Sequence, residues 1–191
     1  IIEFKDNAGN ILTDNENIKS GLSQFIEGLQ DDNIYTIASI YAFRDNKRVL
    51  ESMKDAIMYN QKTLWLDNNK KRWLNPYKEG ARQYIKDVVS EALSYGFDEI
   101  MLFECNFPSS GLISRIYYED KSISKNEQIN SFLTEILSII KEMEKEVSIV
   151  IPEKAIDIEF AKQIGIDLTG IKKVGIKYIY SGTKDNLKLT E

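Results

Sequence analysis

The sequence predicts an α/β protein built on a parallel sheet, and three observations carry that expectation. Strand-like and helix-like patterns alternate along the chain. The strand-like runs are continuous in apolar residues, as strands covered on both faces are. The chain has 191 residues, of which 42% are hydrophobic and 29% charged, enough for one large domain with a buried core.

The elements follow in order. Ile1 to Lys5 reads as a short apolar strand, with a turn at Asn7-Ala8-Gly9-Asn10. A chain that opens inside a core strand is expected to be a piece of something longer. Ile18, Leu22, Phe25, Ile26 and Leu29 recur at helical spacing until Asp31-Asp32-Asn33 breaks the pattern. Ile34 to Phe43 is a buried strand rich in Ile and Tyr, and Val49, Met53, Ala56 and Ile57 suggest a second helix. Residues 63 to 74 read as a small β-hairpin insertion turning at Asp67-Asn68-Asn69-Lys70. Asn75-Pro76 opens the next element, an amphipathic helix through Ala81, Tyr84, Ile85, Val88, Val89 and Ala92, which Gly96 stops. Asp98 to Cys105 is the next strand, and Pro108-Ser109-Ser110-Gly111 opens a loop. Ile129, Phe132, Leu133, Ile136, Leu137 and Ile140 form the longest helix. A strand at Val147 to Ile151, a weaker helix at Ala155 to Ile164 and a strand at Val174 to Tyr180 complete the pattern. Residues 1–183 read as one domain and 184–191 as a polar tail.

That gives about five strand–helix units against the eight of a full barrel. A doubly wound sheet and a barrel both satisfy it. No G-x-G-x-x-G or P-loop follows any strand, which weakens nucleotide-binding versions of the doubly wound fold.

Composition excludes several kinds of chemistry. There is no histidine, so Ser-His-Asp triads, Cys-His dyads and His-ligated zinc are out. Acid–base work must run on carboxylates, Lys or Tyr. The one cysteine, Cys105, permits no internal disulfide and reads as a small buried hydrophobe. The net charge of −5 argues against a nucleic-acid partner, with Lys70-Lys71-Arg72 a solvated turn. No run has the length of a transmembrane helix. No cofactor is implied, and Asp67, Asn68 and Asn69 lack the spacing of a calcium loop, so no metal is expected.

Four segments together resemble a known family. Glu3-Phe4-Lys5-Asp6-Asn7-Ala8-Gly9 is similar to I-D-V-K-D-x-x-G, and Ile37 to Asp45 to I-A-R-I-V-V-F-K-D. Trp73-Leu74-Asn75-Pro76-Tyr77 is similar to W-V-D-P-Y. Gly96 to Gly111 is similar to G-F-D-E-I-Q-F-D-Y-V-R-F-P-x-D-G. In that order and at that spacing they resemble a bacterial family of glycoside-hydrolase-like β/α barrels, much of it a domain of unknown function. The resemblance implies a parallel β/α (TIM-type) barrel, incomplete in this chain, a carbohydrate partner, and a secreted or cell-surface setting. In an ungapped match the family's strand-end acid falls on Phe103, its Arg on Asn106, the Asp of W-V-D-P-Y on Asn75 and the Arg of I-A-R-I on Ser39. Glu3, Lys5, Asp6 and Arg44 keep charge at matching positions.

Barrel enzymes work at the C-terminal ends of their strands, which selects Glu3, Lys5, Asp6, Tyr41, Arg44, Glu104, Asn106, Tyr178 and Tyr180. By strand alternation Glu3 and Lys5 share a face. Glycoside hydrolysis needs two carboxylates, so the catalytic candidates are Glu104 with Glu3 or Asp6. Glu104 is one residue off the family's acid, hence on the opposite face of an unbulged strand, and a β-bulge would be needed to restore it to the site. The alternative is a structural glutamate paired with Lys5 or Arg44. Lys5, Arg44, Asn106, Trp73 and Tyr118 are the candidate substrate-binding residues. Trp65, Trp73, Tyr77, Tyr117 and Tyr118 form either a sugar platform or a satellite core. A carbohydrate-active enzyme, a non-catalytic barrel binding glycan or protein, and a sugar-phosphate enzyme all remain open. Exposed barrel edges call for a homodimer or a further segment to cover them.

Overall fold

The computed structural model describes residues 1–119, 122–181 and 187–189. Its elements are β1 (Ile2–Lys5), α1 (Glu16–Asp31), β2 (Ile37–Tyr41), α2 (Asn46–Glu51), α3 (Glu79–Ser94), β3 (Glu99–Phe103), α4 (Lys125–Glu142), β4 (Glu146–Pro152), α5 (Ile158–Ile164), α6 (Leu168–Val174), β5 (Lys177–Ser181) and β6 (Leu187–Leu189). Of the expected polar tail, residues 184–186 and 190–191 lie outside the described residues, and 187–189 form β6.

The six strands lie in chain order, β1 to β6. The pairings from β1 to β5 are parallel, and β6 returns antiparallel along β5. This order separates the two folds that the sequence pattern leaves open. A doubly wound sheet reverses its order midway and puts helices on both faces. Strictly sequential parallel strands with right-handed crossovers put every helix on one face, as in a β/α barrel. Among the described residues the sheet does not close on itself, so the architecture is an incomplete barrel.

The cores follow that asymmetry. One large cluster joins strand residues such as Ala38, Ile40, Ile100, Leu102, Ile149 and Ile151 to Ile85, Val89, Phe132 and Ile136 of the helices. A separate small cluster of Met101, Val150 and Ile179, with Ile37 and Phe103 against it, occupies the other face, the barrel interior. Tyr178 and Tyr180 were expected at the working face. They pair in register with Ile149 and Ile151 and pack with the large cluster, so they face the helices.

Local chemistry sets the helix ends. The Ser124 hydroxyl accepts from the Glu127 backbone N–H while the Glu127 carboxylate accepts from that of Ser124, a reciprocal cap that opens α4. Asp45 and Asp157 cap α2 and α5 through their side chains. The helix expected at 155–164 begins only at Ile158, after a 3-10 turn at Glu153–Ile156. Helix α6 has no counterpart in the sequence reading, and β5 starts at Lys177 rather than Val174.

The 63–74 insertion doubles back as expected, with the Asp67 N–H donating to the Lys71 carbonyl at 3.0 Å. Its arms bridge to a third segment, Leu64 to Met58 and Leu74 to Ala56. Trp65 and Trp73, both buried, close a core beneath it.

Candidate functional site

A hollow of about 230 Å³ opens where the C-terminal ends of four strands converge. Tyr41 of β2, Phe103, Glu104 and Asn106 at the end of β3, Val150 and Pro152 of β4, and Ser181 of β5 line it. The Tyr41 and Phe103 rings stack at 5.1 Å and 25° and make one apolar wall.

Strand alternation would point Phe103 and Glu104 to opposite faces, yet both line this hollow. The backbone explains it. Glu104 has φ of 48°, in the left-handed region that non-glycine residues avoid. The turn comes not from the expected β-bulge but from a left-handed residue just past the strand. The β-bulge of this sheet sits instead in β1, between Glu3 and Lys5.

The Glu104 carboxylate accepts a hydrogen bond from Arg44 Nη1 at 3.0 Å. Arg44 Nε lies 4.0 Å from Asp67 Oδ2, which also accepts from Trp73 Nε1 at 3.0 Å. The other Asp67 oxygen accepts from the backbone N–H groups of Asn69 and Lys71 and so ties the turn. Asp67 is thus both a turn residue and a buried brace for Arg44, a role that sequence spacing does not reveal. Burial pushes the Glu104 carboxyl above its ordinary value; Arg44 opposes that push and Asp67 adds to it.

The remaining sequence candidates are dispersed. Glu3 is exposed and stands opposite Ser39 in register, on the interior face of β1. Burial raises the pKa of the Tyr41 hydroxyl, and the Glu3 and Glu104 carboxylates raise it further. Both acids are therefore within electrostatic reach of one phenol. Asn106 is buried and lines the hollow, its amide donating to the Phe107 carbonyl at 2.7 Å.

Lys5 does not share a face with Glu3. The bulge turns it toward the helices, where it is fully buried, bonded to the Tyr41 carbonyl at 2.6 Å and paired with Asp45 at 2.9 Å. Burial lowers its pKa and Asp45 opposes that. Lys5 is thus a bracing cation, not a substrate contact. Asp6 binds its own turn, one carboxylate oxygen accepting from the N–H groups of Ala8, Gly9 and Asn10. Burial would raise its pKa, but the bonds from Asn10, Ala8 and Gly9 hold it low. An acid so committed is a poor proton donor.

The structure packs Trp73 and Tyr118 against other side chains. Trp73 is buried against Asp67, and Tyr118 packs edge-on to Tyr77 at 5.4 Å and to Phe107 at 5.6 Å. Neither a sugar platform nor a separate satellite core results: Trp73 belongs to the large core cluster and Tyr118 packs against it. Among the described residues no group of three or more His, Cys, Asp or Glu side chains is placed to hold a metal ion. Among the same residues no helix is long and apolar enough to cross a membrane.

Comparison with known proteins adds a family. The model of the family "Putative glycosyl hydrolase domain" matches residues 2–181. No curated protein matches. Among solved structures, a hypothetical protein from Ruminiclostridium thermocellum superimposes with a TM-score of 0.64 at 22% identity, over 77% of this chain and 80% of that one. Aspergillus fumigatus Ega3, solved with galactosamine, overlaps more loosely, with a TM-score of 0.49 at 14% identity over 88% and 70% of the two chains. The glycoside hydrolase domain of Pseudomonas aeruginosa PelA gives 0.48 at 9% identity over 82% and 70%.

Proposed function

Because the chain belongs to this glycosyl hydrolase domain family, we propose that its hollow at the ends of β2 to β5 binds carbohydrate and that Glu104 acts there as a proton donor. The observation that carries the reading is the placement of Glu104. A left-handed backbone turns its carboxyl into a hollow walled by two stacked rings, and burial favours its protonated form. A general acid near neutral pH needs a raised pKa. Arg44, whose Nε lies 4.0 Å from Asp67, donates to the carboxylate and orients it in this proposal. Glu3, on the same interior face and near the same Tyr41 hydroxyl, is the partner acid in this proposal. A secreted or cell-surface bacterial setting belongs to the same reading and is checked by cell fractionation.

A non-catalytic sugar-binding barrel is the second reading. It is favoured by one fact: Glu104 is the only carboxylate lining the hollow among the described residues.

The test is reducing-end release from a panel of oligosaccharides by wild type, Glu104→Gln and Glu3→Gln. The proposal expects each variant to fall by about a hundredfold or more. The wild-type rate should decline with rising pH above the ordinary glutamate range, because the acid must be protonated and its pKa is raised. Equal rates in wild type and Glu104→Gln would sink the catalytic role. Sugar binding without turnover, blocked by Phe103→Ala, would select the second reading.

A further inference from the structure

Two larger hollows adjoin each other between the loop after β2 and the loop after β3. One of about 490 Å³ is lined in part by Lys54, Asn75, Lys78 and Glu119. The other, of about 680 Å³, is lined in part by Tyr59, Lys62, Ser114 and Arg115. Gln61 and Tyr117 line both, and the Gln61 amide donates to the Tyr117 hydroxyl at 3.4 Å. The backbone beneath is fixed. Met58 bridges to both Leu64 and Tyr117, and the Tyr117 N–H donates to the Met58 carbonyl at 2.8 Å.

The charge of this groove runs against that of the molecule. The chain carries a net −5. Among the described residues the two linings together hold four cations, Lys54, Lys62, Lys78 and Arg115, against one carboxylate, Glu119. Lys78 pairs with Glu119. Lys54, Lys62 and Arg115 are exposed and form no salt bridge among the described residues. Exposed cations gathered along one surface set up a local positive potential that draws an anion to it. The exposed rings of Tyr59 and Tyr117, 38% and 39% accessible, add faces on which sugar rings stack. Asn60, Gln61 and Thr63 supply neutral polar groups to the same surface. The Glu104 hollow has the opposite character, with a carboxylate and, among the described residues, no cation in its lining.

We propose that this groove binds an acidic glycan strand, one carrying carboxylates along a sugar polymer, at a site separate from the Glu104 hollow. The choice of a sugar polymer rests on the carbohydrate reading above; the groove's own role does not depend on Glu104. Lys62 and Arg115 take the carboxylates and Tyr117 takes a ring face.

Titration calorimetry with oligogalacturonate tests it, alongside neutral cello-oligosaccharide and single-stranded DNA as competing chemistries. Wild type should bind oligogalacturonate, and added salt should weaken the complex. The exposed double variant Lys62→Glu/Arg115→Glu should weaken it about tenfold or more. Lys172→Glu/Lys173→Glu, which reverses as many charges on α6, should leave it unchanged, as should Glu104→Gln. Thermal melting shows that each variant is folded. No binding by wild type, equal loss in both double variants, or equal binding of DNA or the neutral sugar would overturn the proposal. Loss of hydrolysis in Glu104→Gln is read separately, so this groove and the acid at Glu104 can fail independently.

Discussion

Glu104 shows how one backbone angle can decide which acid faces a site. The sequence places it a residue away from the family's acid, and strand parity then hides it. With φ of 48° it turns back into the hollow. That conformation costs an L-residue about 1 kcal/mol or more and costs glycine almost nothing. Glu104→Gly should therefore be more stable than Glu104→Ala by about 1 kcal/mol, since both lose the Arg44 contact equally. Urea unfolding of the two variants checks this, and equal stability would show the site to be unstrained. No residue type announced the left-handed turn, because glutamate rarely makes one. Asp67 was hidden for a different reason. Its turn chemistry is local and readable, whereas its approach to Arg44 spans 23 positions and appears only on folding.

At the scale of elements, the helices were the most legible feature, since 3.6-residue spacing of Ala81, Ile85, Val88 and Ala92 leaves little choice. Helix α6 escaped because it is seven residues long, contains Gly170 and buries only Ile171. The first strand and its turn misled in one respect, the direction of Lys5. The bulge between Glu3 and Lys5 sends Lys5 under the sheet to Asp45, and Asp45 is itself crowded by the turn. Gly9, at φ of 96°, lies so close that an added Cβ would stand 2.0 Å from Asp45 Oδ1. Gly9→Ala should therefore displace Asp45 from Lys5 and destabilise the protein by about 3 kcal/mol. Gly28→Ala is the contrasting case. It lies within α1 with open space around it, and should stabilise by about 0.5–1 kcal/mol. Denaturant midpoints for the pair separate crowding at one turn from the general preference for alanine in helices.

Across the whole molecule, β1 and β6 are the outer strands of the open sheet among the described residues. Phe25, which its spacing had placed on the buried face of α1, is 57% exposed. Unpaired strand edges beside exposed apolar groups promote association. Sedimentation velocity at rising concentration should show self-association that Phe25→Lys reduces; a mass independent of concentration would refute it. The parallel sheet was readable from apolar continuity, but whether it wound singly or doubly was not, because strand order is a property of pairing and not of any segment. That order has a consequence for synthesis. Each strand's partner is the one made just before it, so no later strand has to be threaded between two that are already joined. As the chain emerges from its N-terminus, the sheet can grow by addition at one side only, and every partial product already holds the neighbours it will keep.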